Sequence, residues 1–80
     1  MIPGLRMFIA QPPAGSAGES ELFYSRRSTG PFYQWRTTAP ETWEVTRVQG
    51  GDLLGTDLCP LSWKNLPHAL QTRVVNHYEE

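Results

Sequence analysis

The chain is 80 residues long and sets seven Lys and Arg against eight Asp and Glu, so it has room for one small domain and a formal net charge of −1. That balance excludes a strongly basic nucleic-acid clamp. No apolar run approaches the ~18 residues of a membrane span, and two His and one Cys leave neither an internal disulfide nor a zinc site without carboxylates.

From the N-terminus, residues 1–20 gather Pro3, Gly4, Pro12, Pro13, Gly15 and Gly18, with Phe8 the one aromatic. Such a stretch has little to bury and reads as a flexible tail ahead of a single small domain over residues 21–80. Arg6 followed by the short Met7–Ala10 cluster gives no secretory h-region, and the lone Cys59 suits a reducing compartment, so a cytoplasmic location is expected. Met1 and Met7 are both candidate starts.

Leu22–Arg27 reads as the first strand and Ser28–Pro31 as a turn. Phe32–Thr37 alternates with period two, as does Thr42–Val48 beyond a loop at Thr38–Glu41. Tyr33, Trp35, Trp43 and Val45 form the predicted buried face. The short connections predict a three-stranded antiparallel meander.

Gln49, Gly50 and Gly51 then break the sheet, with Asp52 placed to cap a turn. Thr56 or Asp57 is placed to cap a short helix through Leu58, Leu61 and Trp63. Pro67 fits the first position of a final amphipathic helix running to Glu80, with Leu66, Leu70, Val74 and either His77 or Tyr78 as its apolar stripe. The predicted class is α+β: the meander packed by a short helix and a C-terminal helix.

Candidate chemistry is sparse. His68 and His77 stand nine apart, on opposite sides of a helix, and cannot chelate one ion together. Cys59 lacks a local nucleophile motif and reads as a small buried thiol, and Asp52 and Asp57 stand where caps belong. No enzyme activity, cofactor or metal is therefore expected.

The surface says more. Phe23 and Phe32 are predicted to lie on the face opposite the core, where uncovered aromatics mark a site for a protein partner or a second copy of the chain. Arg27, Trp35, Arg36 and Trp43 complete that candidate partner-binding set. Arg26, Arg27, Arg36 and Arg47 interleave with Phe32, Tyr33 and Trp35 and form the alternative, a single-stranded nucleic-acid surface. The blander account of the same residues is a cation–π and cross-strand charge surface, for instance Arg36 with Glu44.

Two resemblances accompany these readings. The strings YSRRSTGPFYQWR, TWEVTRV, DLLGTDLCPLSWKNLP and HALQTRVVNHYEE resemble a family of short bacterial proteins without an assigned activity, marked by RRS-G-P-Y-RW and WK-VP-LQ-HY-E patterns over residues 22–80. More remotely, residues 23–48 are similar to the sheet of MbtH-like adaptors of nonribosomal peptide synthetase adenylation domains. That likeness runs through Phe23-Tyr24, Gly30 before Trp35, Pro40 before Trp43, and Trp63, with Gln34 and Arg36 departing from the family pattern. It implies an adaptor in which Trp35 and Trp43 grip an Ala side chain of the partner. The function expected is a non-enzymatic binding module or adaptor.

Overall fold

The computed structural model describes residues 2–10, 22–39 and 42–79. Among these residues five strands, β1 (Leu5–Ala10), β2 (Leu22–Arg27), β3 (Phe32–Ala39), β4 (Thr42–Val48) and β5 (Leu58–Leu61), precede one α-helix, α1 (His68–Glu79). Short 3-10 turns occupy Gly50–Leu53 and Trp63–Asn65. The strands form one sheet in the order β4-β3-β2-β1-β5, with every neighbouring pair antiparallel. The α+β class and the β2–β3–β4 meander agree with the sequence, but the sheet has five strands rather than three.

Both extra strands correct specific expectations. Residues 5–10 belong to β1, an interior strand paired with β2 on one side and β5 on the other, and Ile2 and Met7 sit in the core. The Pro and Gly around this segment hid a short alternation: Leu5, Met7 and Ile9 face one way, Arg6, Phe8 and Ala10 the other. The expectation for residues 11–20 lies outside the described residues.

Leu58–Leu61 is an edge strand, not a helix, with Pro60 directly opposite Phe8. An edge tolerates Pro because one side of the strand needs no backbone donor. Asp52 lies within its 3-10 turn rather than capping it, since Gln49 holds the cap position with no side-chain bond. Asp57 precedes β5 and caps no helix.

The core lies between α1 and one sheet face. Cross-strand pairing aligns Ile9, Phe23, Trp35 and Val45 in one row and Leu61, Met7, Ser25, Tyr33 and Arg47 in the next. Leu66, Leu70 and Val74, the stripe expected of the last helix, pack on this face with Met7, Phe23, Trp35 and Trp43. The hairpin turn that closes β2 onto β3 also holds the N-terminus. Ser28, at φ 52°, donates its N–H to Gly4 O at 2.9 Å. Gly4 sits at φ 75°, and a Cβ there would lie 2.7 Å from Ser28 Oγ.

Candidate functional site

Strand alternation sends the remaining side chains to the opposite face, and the register orders them in rows. Phe8 pairs with Tyr24, Tyr24 with Gln34, and Gln34 with Thr46 across the middle. Towards one end Arg6 stands opposite Arg26, and Phe32 opposite Val48. Towards the other, Ala10 stands opposite Leu58, Leu22 opposite Arg36, and Arg36 opposite Glu44.

Two of the aromatic residues on this face, Phe8 and Phe32, approach one another. The Phe8 and Phe32 rings lie 6.0 Å apart, tilted by 51°. The Arg26 guanidinium sits 4.8 Å from the Phe32 centroid while its Nε donates to Ser28 O at 2.9 Å. Those two contacts restrain the head group of one long side chain. Tyr24 is 5% exposed, and burial raises the pKa of its phenol against the opposing pull of Arg36.

This arrangement redraws the sequence-derived site. Phe23 is in the core, 2% exposed and edge-on to Trp43 at 5.5 Å, because its neighbour across the ladder is Trp35, not Phe32. Trp35 is fully buried and Trp43 is 6% exposed, so neither is placed to contact a partner or to grip its side chain. Arg27 and Arg47 share the helix side, where Arg27 Nε donates to Pro3 O at 3.3 Å. Of the four candidate nucleic-acid arginines, only Arg26 and Arg36 stand on the face opposite the helix.

Phe32, Arg36 and Arg26 thus remain as candidates on this face, joined by two that sequence reasoning missed, Arg6 and Phe8. Their signal was the alternation of LRMFIA, in which the second, fourth and sixth residues share a face.

Chemistry-bearing groups elsewhere are kept apart. His77 is wedged among rings, 4.5 Å from Tyr33, 5.4 Å from Trp35 and 5.0 Å from Tyr78. Cys59 is exposed on β5, correcting the expected buried thiol, and three strand spacings, roughly 14 Å, separate β5 from the β3 residues that hold His77. Among the described residues no group of three or more His, Cys, Asp or Glu could hold a metal ion. No described helix is long and apolar enough to cross a membrane. No protein-family model, curated protein or solved structure matches the chain.

Proposed function

We propose that this protein is a non-enzymatic binding module or adaptor that contacts a partner protein through the sheet face opposite α1. One observation carries the reading: both faces of the sheet bear large apolar side chains, yet among the described residues the helix packs on only one of them. Phe8, Leu22, Phe32, Val48 and Leu58 on the other face are partly buried by their neighbours rather than sealed. Aromatic rings held by arginine are what the centre of a protein interface uses, because they offer large contact area at little cost in side-chain entropy.

Single-strand nucleic-acid binding is the weaker reading. Bases stack on open ring faces, whereas Tyr24 is nearly sealed and Arg26 already sits over Phe32. A catalytic reading would need acid, base or nucleophile brought together, and Cys59 on β5 stands three strands away from the β3 rings that hold His77. A cytoplasmic setting fits an exposed Cys59 thiol kept reduced.

The test is a selection of random twelve-residue peptides displayed on phage, run on the native protein and counter-selected on a Phe8→Ser/Phe32→Ser variant whose circular dichroism is unchanged. Enriched peptides that bind the native protein and not the variant support the reading. Peptides that bind both equally, or no enrichment at all, overturn it.

A further inference from the structure

We infer that the Arg6–Arg26 end of this face takes the carboxylates of an acidic segment on the partner protein. The inference rests on the reading of the face as an interaction surface and adds the chemistry of what binds there.

Arg6 and Arg26 are directly opposite across the β1–β2 ladder. Like charges at such a position repel, and a folded chain normally sets an acid or a neutral residue there. Leu5, Met7, Ser25 and Arg27 flank the pair along the strands, and Phe32 lies under Arg26, so none of these neighbours supplies a carboxylate. Arg36, at the far end of the face, is different: Glu44 stands opposite it. Among the described residues, the positive charge of the face that has no carboxylate opposite it is therefore concentrated at one end.

Arg26 is also prepared for an anion. Its Nε donates to Ser28 O and its Cζ sits 4.8 Å from the Phe32 centroid, which restrains the guanidinium before any ligand arrives. Arg6 is exposed beside it. Each guanidinium can meet a carboxylate through its own N–H fork, so the pair offers two such sites on adjacent strands, and Phe8 next to them offers an apolar wall for the flanking side chains of a peptide. Seating a second copy of the chain face to face would bring another Arg6, Arg26 and Arg36 into the same contact, so charge complementarity favours an acidic segment over self-association. The occupied Phe32 ring and the sealed Tyr24 favour it over a single nucleic-acid strand.

The experiment measures binding of the native protein to a fluorescein-labelled Glu–Tyr copolymer by anisotropy, beside a Lys–Tyr copolymer and a labelled twenty-nucleotide oligothymidylate. Three variants are compared: Arg6→Gln, which removes an exposed charge without touching the core, Arg26→Gln, and the pair together. The expected result is binding to the Glu–Tyr copolymer alone, weakened roughly tenfold by each single change and by more in the double variant.

Oligothymidylate binding as tight as that of the acidic copolymer overturns the inference, as does copolymer binding that the double variant leaves unaltered, or no copolymer binding at all. If phage-selected peptides depend on Phe8 and Phe32 but are neutral or basic, the interaction face stands and its acidic partner falls. If no face-dependent peptide is found, both fall.

Discussion

Trp35 Nε1 donates to Ser25 Oγ at 2.9 Å, and the same oxygen lies 2.8 Å from the Tyr78 hydroxyl, so one fully buried serine ties β2 to β3 and to α1. The indole N–H has no acceptor of its own to offer, and a buried donor must be met. A small hydroxyl is the side chain that fits between Met7 and Tyr33 in its row and still accepts from one ring while bonding to another.

Ser25→Ala should therefore cost more than the loss of one methyl-sized group suggests. It leaves the Trp35 N–H unpaired in the core, a penalty of about 1–3 kcal/mol, with Tyr78 losing its partner as well. Urea unfolding of the variant checks the size of the loss. Ser25→Thr, which keeps the hydroxyl, should recover part of it.

The phenols of Tyr24 and Tyr78 both titrate above the usual tyrosine range. Burial is the main cause in each, opposed at Tyr78 by the Ser25 hydrogen bond and by Arg27, and reinforced by Tyr33. A raised folded-state pKa means that the unfolded chain loses its protons first as pH climbs. The stabilising contribution is thus intact below about pH 10, the unfolded tyrosine value, and is lost as pH rises from there through the higher folded-state values. Stability measured by urea across roughly three pH units around that value should fall at the alkaline end, and Tyr78→Phe should flatten the decline.

The N-terminal strand gives a sharper test of the fold. Gly4→Ala places a side chain at φ 75° and presses it against Ser28 Oγ, so a loss of roughly 1–2 kcal/mol is expected. Removal of residues 1–10 should abolish the cooperative transition altogether, because β1 joins β5 to the rest of the sheet. A truncated chain with an unchanged thermal midpoint would mean that β1 is dispensable.

Relief of the Arg6–Arg26 repulsion should show in stability without any ligand. Arg6→Gln is expected to stabilise the protein by about 0.2–1 kcal/mol, a gain that shrinks as salt screens the pair. An exposed arginine whose replacement strengthens the fold fits a residue kept for binding rather than for packing.

Much of this architecture was legible because the signals were local. The period-two runs of β3 and β4 marked Trp35 and Trp43 as core, and the four-residue spacing of Leu66, Leu70 and Val74 marked the buried stripe of α1 and of the turn leading into it. What failed was non-local. Nothing within LRMFIA says that it enters the sheet between β2 and a strand some fifty residues away, and LCPL is too short, and too interrupted by Pro60, to declare itself.

The site was misread at Phe23 for a related reason. The side on which β2 presents Phe23 depends on its register with Trp35, and a shift of one residue exchanges the two faces. The consequence is measurable: Phe23→Ala should cost about 3–5 kcal/mol as a core truncation, whereas Phe32→Ala should cost far less. Comparable losses at both positions would contradict the register.

The most direct test of the interaction face is a map of amide and arginine Nε–H resonances of the isotope-labelled native protein as the Glu–Tyr copolymer is added. The account predicts shifts gathered on Arg6, Phe8, Arg26 and Phe32, with α1 silent. Shifts gathered on α1, or spread evenly over the chain, would contradict it.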